Sequence, residues 1–161
     1  MSSSNFPDLS FATKPPFRRL FLTGGSGYVG RNLIRHSVAQ RVEVMALARS
    51  EQARGTVQAL GAKPFEGDLF SPQLSAGMAG CDALIHAAAD TDHGPASDAQ
   101  RRTNVDGTRF VFAAASKAGV RRAVHLSTES VLLDGRPLVD ADENPPIKWR
   151  ARESWLLRCE L

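Results

Sequence analysis

An apolar run, Leu20-Phe21-Leu22-Thr23, breaks into Gly24-Gly25-Ser26-Gly27-Tyr28-Val29-Gly30, and apolar residues then recur at helical spacing as Val29, Leu33, Ile34 and Val38. That succession predicts a buried strand, a turn tight enough to need glycine, and the start of a helix. Gly24, Gly27 and Gly30 give G-x-x-G-x-x-G, while Gly25, Gly27 and Gly30 satisfy G-x-G-x-x-G, so two frames share the last two glycines. The physical logic is common to both. One glycine permits the tight exit from the strand, a second lets the backbone approach a pyrophosphate, and a third lets the helix sit close to the sheet. The helix then aims its free N–H groups and positive dipole end at phosphate. A P-loop fails chemically, because Arg31-Asn32 stands where that mechanism needs a lysine and a hydroxyl. A G-x-S-x-G nucleophile elbow fails because Tyr28 occupies its last glycine position.

Alternation of strands and helices continues along the chain. Arg18 to Thr23 reads as strand one, Tyr28 to Gln40 as helix one, Val42 to Ala48 as strand two and Glu51 to Leu60 as a helix. Lys63 to Glu66 is a short third strand, Pro72 to Met78 a short helix and Asp82 to His86 the fourth strand. Asp90 to Ala96 is a loop, Asp98 to Ala118 one long helix stopped by Gly119, and Val120 to Ser127 strand five. The fold class is therefore α/β: a Rossmann-type doubly wound parallel sheet of about five strands, order 3-2-1-4-5, with right-handed crossovers.

Composition narrows the function. The chain has 161 residues, 42% hydrophobic and 23% charged, with a formal net charge of +3, which fits about one globular domain. Its basic residues are scattered and not interleaved with aromatics, which argues against nucleic acid as a partner. No apolar run approaches the roughly 18 residues that cross a membrane. Cys81 and Cys159 are too isolated for a disulfide framework or a cysteine metal site, pointing to a reducing, cytoplasmic setting. Residues 1–16 are Ser- and Pro-rich without a signal-peptide core and read as a disordered leader, residues 17–146 as the incomplete nucleotide-binding domain, and residues 147–161 as a divergent tail.

In such a sheet ligands bind beyond the carboxyl ends of the strands, at the switch point between strands one and four. After strand two, about 20 residues past the glycines, an NAD site would place an acidic residue on the ribose 2′-hydroxyl. Here the residue is Arg49, suited to a 2′-phosphate and hence to NADP, with NAD left open because the nearby Glu51 could reach a ribose. After strand three, Asp68 could accept from the adenine amine while Leu69 covers the ring, or serve only as a helix cap. After strand four, Ala87, Ala88 and Ala89 leave clearance for a flat-lying cofactor, and His86 before them reads as a packed histidine rather than a catalyst. His86, Asp90, Asp92 and His93 lack established metal-ligand spacing.

The segments Thr23-Gly24-Gly25-Ser26-Gly27-Tyr28-Val29-Gly30, Gly67-Asp68-Leu69, His86-Ala87-Ala88-Ala89, Asn104-Val105-Asp106-Gly107-Thr108 and Ser127-Thr128-Glu129-Ser130-Val131 occur in one characteristic order and spacing. In them the chain resembles the extended short-chain dehydrogenase/reductases of the NAD-dependent epimerase/dehydratase group over about residues 18 to 143. Arg49 makes it more similar to the NADP-using reductase branch, such as dihydroflavonol reductase-like proteins, than to the sugar epimerases. Val131-Leu132-Leu133-Asp134-Gly135 also lacks the Tyr-Gly that epimerases carry after the valine, while a hydroxysteroid-type substrate stays open. The resemblance implies hydride transfer between a nicotinamide dinucleotide and a small carbonyl or alcohol. It also implies that Thr128 hydrogen-bonds the reacting oxygen, with Ser127 a weaker candidate, and that Asn104 shapes the active site through backbone and water contacts.

The family's proton donor is the tyrosine of a Tyr-x-x-x-Lys, whose lysine lowers the phenol pKa. This sequence has one tyrosine, Tyr28, in the glycine turn, and Asn144 stands four positions before the last lysine, Lys148. Trp149 and Trp155 fall among Arg150, Arg152 and Arg158, unlike what precedes them. The expectation is therefore an interrupted enzyme with little or no activity, and the different-class alternative is a non-catalytic nucleotide-binding or partner-binding module. An unpaired edge where a sixth strand belongs invites association with a second copy, so a homo-oligomer is left open.

Overall fold

The computed structural model describes residues 17–91 and 97–128. The readings made above for the leader, for Asp92 and His93, and for everything from Glu129 onward lie outside them. Five strands, β1 (Arg19–Thr23), β2 (Glu43–Ala48), β3 (Lys63–Glu66), β4 (Ala83–His86) and β5 (Arg122–His125), form one all-parallel sheet in the order β3-β2-β1-β4-β5. The crossovers carry α1 (Tyr28–Ala39), α2 (Glu51–Ala59), the short α3 (Leu74–Gly77), and α4 (Asp98–Arg101) leading into α5 (Thr108–Lys117).

Period-two alternation sends successive side chains of each strand to opposite faces, and helices on both faces make the central strands β1, β2 and β4 largely apolar and buried, whereas the edge strands β3 and β5 carry exposed charged residues. Leu20, Leu22, Val44, Ala46 and Ala83 pack with Ile34 of α1 and Val57 of α2 on one face. Phe21, Leu47 and Leu84 pack with Leu74, Met78, Val111, Ala114 and Ala115 on the other. Leu20, Phe21 and Leu22 are fully buried, each adding roughly 1.5–3 kcal/mol of hydrophobic stabilisation. At the opposite end of the sheet from the glycine turn, one carboxylate oxygen of Asp82 accepts the backbone N–H groups of Arg18 (2.7 Å) and Arg19 (3.0 Å), fixing the start of β4 beside that of β1. Those bonds hold the Asp82 carboxyl below the ordinary carboxylate range.

The long helix expected over Asp98 to Ala118 is not uniform. Between α4 and α5 the chain makes a π-helical turn over Arg102–Gly107, burying Asn104 and Val105. The Thr108 hydroxyl donates to the Asn104 carbonyl (2.7 Å), and the Asn104 side chain turns away from the helix to bond the backbone of Asp90. Nothing in the residue pattern marks this widening, because it is tied to a partner in another loop. No helix among the described residues is long and apolar enough to cross a membrane.

Candidate functional site

Beyond Thr23 the backbone must turn beneath the exit of β4. Gly24 does so at φ +73°, and a Cβ there would lie 2.6 Å from the Ala87 carbonyl carbon and oxygen. Its carbonyl accepts the Gly27 N–H at 3.0 Å, closing the turn. Gly30, one turn into α1, is buried so closely that a Cβ would overlap the Gly24 carbonyl oxygen. At Gly25 a Cβ would instead meet the side chains of Ala46, Val57 and Ile34 at 3.2–3.3 Å, a tight approach but one to side chains rather than to backbone. Of the two glycine frames, the geometry therefore depends most on Gly24, Gly27 and Gly30.

Gly27 is the N-cap of α1 and offers no side chain to the helix. The first intrahelical bond is Arg31 N–H to the Gly27 carbonyl (3.0 Å), which leaves the earlier N–H groups of the first turn for an external acceptor. No acidic residue stands in that turn, while Tyr28 and Val29 are exposed. Such a helix start suits an anion.

The strand ends complete the site. Arg49 follows β2, is exposed, and makes no ion pair or hydrogen bond with the described residues. Ser50 caps α2 by accepting the Ala53 N–H (3.2 Å). Glu51 is held by Arg54 at 2.5 Å, and the same guanidinium pairs with Glu66 at the end of β3. After β3, one carboxylate oxygen of Asp68 accepts the Phe70 N–H (2.9 Å) and the Ser71 hydroxyl (3.1 Å), so the aspartate does act as a turn cap. Phe70 lies beside Phe110 and beneath the Arg102 guanidinium, 4.7 Å from its ring centre.

Gly24, Ser26, Gly27, Arg49, Asp68, Leu69, Ala87, Ala88 and Ala89 line one open cleft of about 990 Å³ along the carboxyl ends of β1 to β4. Gly25 and Gly30 sit behind it as packing residues, Tyr28 and Val29 stand outside its lining, and Asn104 lies behind the alanines through its bonds to Asp90. Thr128 is half-buried beyond the end of β5 and does not line the cleft. Sequence reading missed Arg31, Thr56, Phe70 and Thr103, which do. Only Arg31 carried a local signal: a cation in the first turn of a helix opposes the dipole, an arrangement that an anionic ligand would relieve.

His86 is fully buried at the last position of β4, its ring stacked on His125 with centroids 5.1 Å apart. Burial and the neighbouring His125 push its pKa down to about 4, so the imidazole is neutral near pH 7. His125 is also lowered, chiefly by burial. Among the described residues no cluster of His, Cys, Asp and Glu has the makings of a metal site.

The model of the NAD dependent epimerase/dehydratase family matches residues 20–153. A ketoreductase of Stigmatella aurantiaca, acting by its name on 4-hydroxy-2-methyl-3-oxo-4-farnesyl-3,4-dihydroquinoline-1-oxide, is 54% identical over 134 residues, covering 82% of this chain and 40% of the relative. A protein of Synechocystis named as a dihydroflavonol 4-reductase is 39% identical over 113 residues, covering 70% of this chain and 33% of its own. The chain thus spans 40% or less of these two relatives. Among solved structures, the Bordetella bronchiseptica enzyme WbmG in complex with NAD is 30% identical with a TM-score of 0.63, covering 76% of this chain and 40% of that one.

Proposed function

The chain belongs to the NAD-dependent epimerase/dehydratase family, and from that premise we propose that it is the cofactor-binding part of an NADP(H)-dependent reductase of ketones. The observation that carries this reading is Arg49. It faces the cleft that holds the glycine turn, makes no ion pair or hydrogen bond among the described residues, and stands where an NAD site would present a carboxylate. The carboxylate two residues further on, Glu51, is engaged by Arg54. A guanidinium can hold a 2′-phosphate through two parallel N–H bonds.

The residues fit such a dinucleotide. The N–H groups at the start of α1 would hold the pyrophosphate, Asp68 and Leu69 the adenine, and the backbone of Ala87 to Ala89 the inner half of the molecule. The bound nicotinamide supplies the hydride, and the ketoreductase and reductase names of the relatives favour a carbonyl substrate over a nucleotide sugar. Thr128 is proposed to hydrogen-bond the substrate oxygen, and Asn104 to hold the loop behind it. The only tyrosine is Tyr28, so a phenol acid in the family's position is not among these residues. For this chain alone the reading is cofactor binding with little turnover, since a positioned acid contributes about 10²–10⁴-fold.

Titration with NADPH and NADH by calorimetry tests the reading. NADPH is expected to bind more tightly, and Arg49→Ala to cost about 1.5–3 kcal/mol for NADPH and little for NADH. Equal binding of the two cofactors removes the role of Arg49, and binding of neither by the folded protein removes the functional reading. Turnover of a ketone panel with NADPH that vanishes in Thr128→Ala would show residual catalysis by the chain itself.

A further inference from the structure

His86 is the register partner of Thr23 across β1 and β4, and its ring is wedged between two hydroxyls. Nδ1 lies 2.6 Å from the Thr23 Oγ1 and Nε2 lies 3.0 Å from the Thr108 Oγ1. The directions of these bonds follow from the partners. Thr108 spends its hydrogen on the Asn104 carbonyl, an acceptor only, so its oxygen must accept from His86 Nε2–H. A neutral imidazole protonated at Nε2 has a bare Nδ1, which accepts the Thr23 hydroxyl hydrogen. The Thr23 oxygen in turn accepts the Ala88 N–H at 3.2 Å.

The line of bonds runs from the backbone of Ala88 through Thr23, His86 and Thr108 to the carbonyl of Asn104. From there the Asn104 side chain returns to the same loop, accepting the Asp90 N–H (2.8 Å) and donating to the Asp90 carbonyl (2.9 Å). The loop that leaves β4 is thereby tied at both ends, Ala88 and Asp90, to one continuous network. This is the backbone that presses against Gly24 and walls the cleft. A rigid ring with a donor and an acceptor on separate nitrogens spans the two threonines, which gives the fully buried histidine a partner at each nitrogen.

We propose that His86 is a positioning residue: its Nε2-protonated tautomer, fixed by Thr108, ties down the loop from Ala88 to Asp90, keeps the Ala87–Ala88 backbone against the glycine turn and so sets the shape of the cleft wall. Its effect on cofactor affinity rests on the functional reading above. Its effect on the loop does not.

The experiment is ¹⁵N NMR of the whole chain, reading the His86 tautomer and the amide exchange of Ala88 and Asp90, in the wild type, Thr108→Val and Thr108→Ser, each with NADPH titration. The expected result is an Nε2–H tautomer in the wild type. In Thr108→Val, Ala88 exchange should quicken although Thr108 does not touch Ala88, NADPH should bind about three- to tenfold more weakly, and both should recover in Thr108→Ser. Val111→Ala, a core change on the same helix, controls for lost stability and should leave the tautomer and the Ala88 exchange alone. An Nδ1–H tautomer overturns the proposal, as does unchanged Ala88 exchange in Thr108→Val. Should Thr108→Val fail to fold, Thr23→Ser and Thr23→Val report on the same line from its other side. Absence of NADPH binding by the wild type sinks the functional reading, while the exchange data still decide the role of His86.

Discussion

Acidification should weaken the fold through His86 in a defined window. The unfolded chain presents a histidine of ordinary pKa, 6.5, whereas burial and His125 lower the folded value to about 4. Between these values the unfolded state binds a proton that the folded state refuses. Stability is therefore fully present above pH 6.5 and is lost as pH falls toward 4. A fall of about 2.5 in pKa, at about 1.36 kcal/mol per pKa unit, amounts to about 3.4 kcal/mol in full and about 2.4 kcal/mol between pH 7 and 4.5. That is a large share of the 5–15 kcal/mol typical of a folded protein. Urea unfolding followed by circular dichroism at intervals across this range measures it, with His86→Gln as reference. The carboxylates that also weaken the fold in acid, Asp82 and Glu43 among them, are common to both proteins and cancel in the difference. The wild-type advantage over His86→Gln should shrink by about 1.2 kcal/mol per pH unit near pH 5. A difference that stays constant from pH 7 to 4.5 refutes the shielding of His86. If the variant does not fold at pH 7, direct NMR titration of His86 in the wild type decides, and a midpoint near its ordinary value would refute the argument equally.

Three further outcomes are expected. Gly30→Ala should cost at least about 1–3 kcal/mol and abolish NADPH binding, because the new methyl overlaps the Gly24 carbonyl; wild-type affinity in this variant would show that the turn is not held as described. Leu22→Ala, at a fully buried position of the central strand, should cost about 2–5 kcal/mol in urea unfolding, and a loss below 1 kcal/mol would contradict its place in the core. Ser50→Ala removes the acceptor for the Ala53 N–H and should cost about 1 kcal/mol, read as a lower thermal midpoint; an unshifted midpoint would mean that the cap contributes nothing.

What the sequence made legible is what is local. Leu20 to Thr23, Val44 to Ala48 and Ala83 to His86 are largely apolar because helices cover both faces, and that pattern marks three neighbouring strands. The glycine turn announced itself, but not which of its frames mattered: that depends on the Ala87 and Ala88 backbone, over 60 residues away, pressing on Gly24. Arg49 and Asp68 were found by their places after strands. Thr56, Phe70 and Thr103 were not, since they reach the cleft only through the packing of separate elements. The π turn at Arg102–Gly107 was invisible for the same reason, its Asn104 answering to Asp90. The residues after strand five, where Thr128 stands, were read from motif order alone.

The central place of β1 has a consequence for the order in which a ribosome releases this chain. β1 pairs with β2 after one short helix, but its other side waits for β4, whose residues Ala83–His86 are made more than 60 positions after their partners Leu20–Thr23. Until β4 is made, the β4 side of Phe21 and Leu22 has no strand to pair with, and an unpaired strand edge of this kind is open to pairing with other chains. Asp82, the residue just ahead of β4, accepts the Arg18 and Arg19 amides, a contact compatible with only one alignment of β4 on β1, so the last strand to reach β1 carries its own register mark.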